Sequence, residues 1–231
     1  MAFKFTDFET QVLKNFARIN PCQVVKPAGL AAKEPLNTIA GVHNFDEEKD
    51  FEEFGIYQMG EFLAALDALE SPEIEHFPAK KLIVMTSGES KIRFTTTPLD
   101  MIREACEVQD LGPKWNKLPI DLAFNLPADK LATIFKTASV LKAKFLYFEQ
   151  DGDAIRMTVC PDKLESSANS FQVTIRDGIE TLDMGDTVFR IPLAEIRIIP
   201  GDFNIEFSMA GKVSNWKSIN GIDYYIGFAK D

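Results

Sequence analysis

The chain has 231 residues, a formal net charge of −10 and 45% hydrophobic residues. That supplies a core for one large domain or two of ordinary size, and the acidic balance excludes a protein that grips nucleic acid with its whole surface. The three scattered cysteines, Cys22, Cys106 and Cys160, make no disulfide framework and fit a reducing cytoplasm. No apolar run is long enough for a membrane helix, and the N-terminus does not read as a signal peptide.

A helix is predicted from Thr6 to Ile19, with Phe8, Val12, Leu13, Phe16 and Ile19 at helical spacing. Thr6 or Asp7 can cap it, and Asn20-Pro21 stops it. Strands are expected at Gln23–Val25 and from Leu36 to Val42, with Pro27, Gly29 and Pro35 marking loops. Asp46 to Glu53 is an acidic edge, and Phe51, Phe54 and Ile56 lead into a strand. A second helix runs from Met59 to Leu69 and ends at Ser71-Pro72. Strands follow at Ile74–Phe77, Lys81–Thr86 and Lys91–Thr96. Met101 to Val108 reads equally as a short helix or a strand. Gly112, Pro113 and Pro119 break both periodicities.

The second half replays this order. A strand at Ile120–Leu126 leads through Pro127 into a helix carrying Leu131, Ile134, Phe135, Ala138 and Leu141. Strands at Phe145–Gln150 and Ala154–Cys160 are joined by Asp151-Gly152, a hairpin signal. Phe171–Ile175 is another strand. Phe189-Arg190-Ile191-Pro192 opens a short helix to Ile198, as Phe54-Gly55-Ile56-Tyr57 opens the second helix of the first half. Phe203–Met209, Val213–Ser218 and Tyr224–Phe228 close the chain, with Asn220-Gly221 as a further turn. The two runs around Gly88 match the two around Gly211. A period of about 120 residues is domain-sized. The expected organisation is therefore a first domain over 1–109, a connector over 110–119 and a second domain over 120–231. Each domain reads as α+β, with two helices on a mostly antiparallel sheet.

The outer faces of the two leading helices carry the functional signal. Lys14 and Arg18 lie opposite the buried stripe of the first helix. Lys136 and Lys144 point away from the sheet in the second domain, and no acid follows Lys130 up to Lys144. In a chain with 35 acidic residues, such faces suit a phosphate backbone, attracted without base readout. A solvated face is the plain alternative. An acidic protein with few cations cannot hold DNA tightly by charge, but it can hold it by encirclement.

Leu13-Lys14-Asn15-Phe16-Ala17-Arg18-Ile19-Asn20 resembles the first-helix motif of the sliding clamps of T-even-type bacteriophages, the DNA polymerase processivity factors. Ile56 to Leu63, Ile199-Pro200-Gly201-Asp202-Phe203 and Asp223-Tyr224-Tyr225-Ile226 resemble later segments of that family. Lys26–Leu36 and Thr97–Lys117 depart from it. The resemblance implies two clamp domains per chain and a closed homotrimeric ring with helices lining the hole. It implies duplex DNA, bound without regard to sequence, the replicative DNA polymerase and an ATP-driven clamp loader as partners. A role in late transcription, residence in the cytoplasm of the infected host cell, no enzymatic activity and no cofactor are also implied. By analogy Lys14, Arg18, Lys136 and Lys144 face DNA. Trp115, Leu118, Pro119, Tyr225 and Phe228 form the partner-peptide pocket; packing of Trp115 on its own domain and of Phe228 in the core are the alternatives. The subunit edges are Lys91–Thr96, through Lys91, Ile92 and Phe94, and Ser170–Ile175, through Phe171, Val173 and Ile175.

Other signals carry less. His43 and His76 lack converging ligands, so no metal or acid–base site is expected. Asp151-Gly152-Asp153 lacks the remaining positions of a calcium loop, and the cysteines read as small apolar residues. The competing reading is a two-domain adaptor that binds peptides along sheet edges and never touches DNA.

Overall fold

The computed structural model describes residues 2–106, 108, 111–161 and 169–229. They form two compact units, Met1–Gln109 and Asp110–Asp231. Gln109 and Asp110, where the sequence places the end of the first domain, lie outside the described residues.

The first unit begins with β1 (Ala2–Phe3) and α1 (Asp7–Ile19). Of the two candidate caps, Thr6 is the one used. Its Oγ1 accepts from the Glu9 N–H at 3.1 Å, and Glu9 Oε2 accepts from the Thr6 N–H at 2.7 Å. This reciprocal capping box satisfies two helix-end donors. The other Glu9 oxygen meets Lys49 Nζ at 2.9 Å, and that ammonium lies 4.7 Å from the centre of the Phe45 ring. One cation thus pins the acidic 46–53 stretch to the start of α1. The pair is largely shielded from water, so removing either partner strands the other charge at a cost of about 3–5 kcal/mol.

The remaining elements of this unit are β2 (Gln23–Lys26), β3 (Gly29–Lys33), β4 (Ile39–Asn44), β5 (Phe54–Ile56), α2 (Met59–Ala68), β6 (Glu73–Phe77), β7 (Leu82–Ser87), β8 (Ser90–Thr95) and α3 (Leu99–Cys106). They build two antiparallel sheets, ordered β1-β6-β7-β8 and β4-β3-β2-β5. Val12, Leu13, Phe16 and Ile19 of α1 are buried, each stabilising by roughly 1.5–3 kcal/mol. Helix α1 packs on β3 and β4. There Gly41 leaves room for the Phe16 ring, which would stand 2.5 Å from a Cβ at that position. Phe8 is half-buried, edge-on to His43 at 5.4 Å. The ambiguous stretch after Thr97 is helical: α3 sets Ile102 and Leu99 on Cys22 and Val24.

The second unit contains α4 (Gly112–Trp115), β9 (Leu122–Leu126), α5 (Ala128–Leu141), β10 (Phe145–Asp151), β11 (Ala154–Cys160), β12 (Phe171–Ile175), β13 (Ile179–Leu182), β14 (Phe189–Pro192), β15 (Phe203–Ser208), β16 (Val213–Ser218) and β17 (Ile222–Gly227). Its sheets are ordered β13-β9-β15-β16-β17 and β12-β11-β10-β14. Leaving aside β13, the strand order repeats that of the first unit, and α5 lies on β11 and β12 as α1 lies on β3 and β4. The core gathers Phe148, Phe189, Phe207 and Phe228, with Phe207 centred 4.7 Å from Phe148 and 4.9 Å from Phe189.

Four sequence expectations change. Strand β3 replaces expected loop, and β13 forms where the sequence marked no element. The helix expected over Pro192 to Ile198 is a single 3-10 turn, Leu193–Glu195. The Leu193 N–H is drawn to the Lys144 carbonyl at 2.8 Å, and Arg197 Nε closes the turn on the Ala194 carbonyl at 3.2 Å. Too few residues then remain before Pro200 to nucleate a helix. The hairpin around Gly88, β7–β8, corresponds by sheet order to β16–β17, turning at Asn220-Gly221; the hairpin around Gly211 is one strand earlier. Finally, α5 ends at Leu141, so Lys144 lies beyond the helix and just before β10.

Candidate nucleic-acid interface

On α1 the exposed side chains are Asp7, Gln11, Lys14 and Arg18. Lys14 Nζ sits 2.8 Å from Asp67 Oδ1 of α2, both side chains about half exposed. An open pair of this kind stabilises by only ~0.2–1 kcal/mol, but it changes the face. Asp7, Asp67 and Glu70 line the cleft beside Lys14. The cationic face read from α1 alone is therefore partly neutralised by its neighbour helix, which helical periodicity could not reveal.

The α5 face differs. Lys136, Lys142 and Lys144 are exposed and make no ion pair among the described residues. Lys142 ends the helix in the left-handed region at φ 52°. The Ala143 N–H returns to the Ala138 carbonyl at 2.8 Å, closing the last turn. Lys142 thereby stands at the negative end of the helix dipole. Its signal in the sequence is a Lys directly after the last apolar residue, Leu141. Lys144 keeps its place near this face through its backbone, which donates to Cys160 and accepts from Leu193. The second unit thus carries the stronger positive patch: Glu195, the acid of its 3-10 turn, pairs with Arg197 at 3.4 Å, whereas Asp67 of α2 pairs with Lys14.

The residues expected to meet a partner peptide divide. Trp115 is buried, its Nε1–H donates to Glu206 Oε2 at 2.7 Å, and its ring meets Tyr225 edge-on at 6.0 Å. Leu118 lies at Gly211, its Cδ1 where a Cβ would come within 2.6 Å. Pro119 is exposed. Phe228 points elsewhere, into the ring cluster of Phe189 and Phe207. Sequence reasoning missed Glu206, whose carboxylate also accepts from Lys217 Nζ at 2.9 Å.

Asp223 stands opposite Lys217 on the neighbouring strand. Burial lifts its carboxyl above the ordinary value of 3.8; Lys217 opposes the rise and Glu206 reinforces it. A raised folded-state value means that the protonated form favours folding, and that this contribution fades as pH climbs through it. Asp223→Asn, which mimics the neutral form, is expected to match wild type in acid and to gain stability over it toward pH 7. Urea midpoints at both pH values check this; a gap that narrows toward neutrality contradicts it.

The expected subunit edges are the last strands of their sheets: β8 in β1-β6-β7-β8 and β12 in β12-β11-β10-β14. Lys91 and Arg93 are exposed on β8, while Ile92 and Phe94 are half-buried, Phe94 against Phe62 at 5.5 Å. Phe171 and Val173 are half-buried on β12, and Ile175 is in the core opposite Ile155. His43 is buried between Phe8 and Phe45. His76 takes the Glu52 carbonyl at 3.0 Å, with its basicity lowered chiefly by burial. Cys22 and Cys160 are buried and form no disulfide among the described residues, and the Cys106 side chain lies outside those described. Among the described residues no helix is long and apolar enough to cross a membrane.

A duplicated α+β unit, each copy setting one long amphipathic helix on antiparallel strands, defines the clamp architecture. The chain has the sliding-clamp fold. It is similar to the DNA polymerase III subunit beta of Pseudomonas aeruginosa (TM-score 0.68, 13% identity), covering 100% of this chain and 65% of that one. It is equally similar to the Proliferating Cellular Nuclear Antigen of Entamoeba histolytica (TM-score 0.69, 13% identity), covering 99% and 98%. The chain thus spans about two thirds of the Pseudomonas subunit's length but nearly all of the Entamoeba protein's. In sequence it is 26% identical over 220 residues, 94% of each chain, to a protein of Vibrio phage KVP40 named "Sliding clamp". No family model matches. The resemblance to phage sliding clamps read from the residues holds over nearly the whole chain.

Proposed function

We propose that this protein is a DNA sliding clamp: it encircles duplex DNA and tethers the replicative DNA polymerase, conferring processivity without catalysing a reaction. The observation that carries the reading is the set of exposed lysines on and just past α5, Lys136, Lys142 and Lys144, on a chain of net charge −10. Such a face draws in a phosphate backbone, and the acidic remainder repels it. Two units per chain need three chains for a six-unit ring. The end strands β8 of one copy and β12 of the next supply the ladder that joins them, and a closed ring leaves no sheet edge exposed. An ATP-driven loader opens the ring in the cytoplasm of the infected host cell, and the same ring on DNA serves late transcription.

Loading onto circular and linearised DNA in the presence of loader and ATP tests this. The protein should persist on the circle and run off the free ends. Equal retention on both forms overturns encirclement, and a particle that never exceeds the mass of one chain overturns the ring.

A further inference from the structure

The outer face of the β15-β16-β17 sheet carries one row in register: Glu206, Asn215 and Tyr225. Trp115 bridges its two ends, bonded to Glu206 and edge-on to Tyr225. Asn215, between them, is 1% exposed, and its Oδ1 has no hydrogen-bond partner among the described residues. Trp115 thus donates to one acceptor of the row, and the Asn215 oxygen between its two contacts goes unmet among the described residues. A buried carbonyl oxygen without a donor is a standing penalty.

The covering segment is weakly held. Helix α4 is four residues long, no side chain caps it, and Trp115 is its one buried residue. Pro113, Lys114, Asn116 and Lys117 are exposed. Its anchors include the buried Trp115 ring, with its charge-assisted hydrogen bond to Glu206, and Leu118 on Gly211. Segments with so few buried contacts open locally at far less free energy than the fold.

We propose that Trp115 is a built-in latch occupying a socket made by Glu206, Asn215, Gly211 and Tyr225. The socket's true guest is a partner peptide bearing a Trp or Tyr beside an unpaired backbone N–H. The aromatic N–H or O–H takes the place of the Trp115 donor on Glu206, and the peptide N–H reaches the Asn215 oxygen that Trp115 leaves unmet. The guest thus satisfies both acceptors where the latch satisfies one, which gives exchange its direction. This deepens the clamp reading, which supplies the partner, but the latch stands on the contacts alone.

The test uses Trp115→Ala in the full chain, with N-acetyl-tryptophanamide as probe. One probe per chain should bind the variant saturably, at least tenfold more tightly than wild type, and Glu206→Ala added to it should abolish binding. No saturable binding to the folded variant, or equal binding to wild type, overturns the latch. Glu206→Gln in otherwise intact protein gives a second measurement should Trp115→Ala fail to fold. Amide exchange at Trp115, Asn116 and Leu118 should quicken several-fold with an unchanged melting temperature. Unchanged exchange, or a melting temperature that falls with it, makes Trp115 ordinary core and overturns the proposal. Ring formation is scored separately by solution mass, so a failed ring and a failed latch give different results.

Discussion

Lys136→Glu should flatten the salt dependence of DNA binding more than the matching change Lys14→Glu. Each phosphate contact contributes about one unit to the slope of log affinity against log salt, so a ring of three copies should lose about three units. Lys136 is exposed on α5 and makes no ion pair among the described residues, so its whole charge is available. Lys14→Glu should cost clearly less, because Asp67 already holds the Lys14 ammonium at 2.8 Å. Asp67→Asn should move the other way and strengthen binding by releasing that charge. Affinities of the assembled protein on circular DNA between low and moderate salt decide the matter. Equal slopes for the Lys14 and Lys136 variants would remove the asymmetry between the helix faces.

The largest expected loss of stability is Phe207→Ala. Phe207 is fully buried and lies within 6 Å, centre to centre, of Phe148, Phe189 and Phe228. Three rings cannot collapse into one vacated space without leaving their rotamers, so most of the cavity persists. The transfer and cavity terms together come to about 4 kcal/mol. For a chain of this length that lowers the melting point by roughly 10 °C. Calorimetry of the variant checks it; a shift of a degree or two would show that the cluster repacks.

What the sequence made legible was whatever depends on neighbours along the chain. The boundaries of α1 follow from Thr6, Glu9 and Asn20-Pro21, all within a turn of the helix ends. Asp151-Gly152 and Asn220-Gly221 place two hairpins because both glycines take positive φ, 64° and 76°. Strand β3 was not legible: Gly29, Ala31 and Ala32 lack the branched and aromatic side chains that mark a strand, and pairing on both sides holds them extended. The two alternating runs around Gly88 and around Gly211 look alike, so the hairpin match slipped by one strand, and only the sheet order separates them.

The candidate site was legible in residue types and obscure in pairings. Lys14 and Lys136 stand out by helical phase, yet Asp67 is 53 positions from Lys14 and Glu206 is 91 from Trp115. No spacing rule reaches that far. Phe228 reads as a surface anchor beside Tyr225, but alternation along β17 and just beyond it puts the two on opposite faces.

The two end strands are chemically unlike. Strand β8 offers Lys91 and Arg93, whereas β12 shows Gln172 and Thr174. Two copies of β8 would repel each other, which favours the join of β8 to β12 proposed above. In the proposed ring such head-to-tail joins would point every subunit the same way around the circle and give it two inequivalent rims. Cargo docked on one rim of that ring would then meet the duplex in a single orientation, set by the unlike chemistry of two short strands.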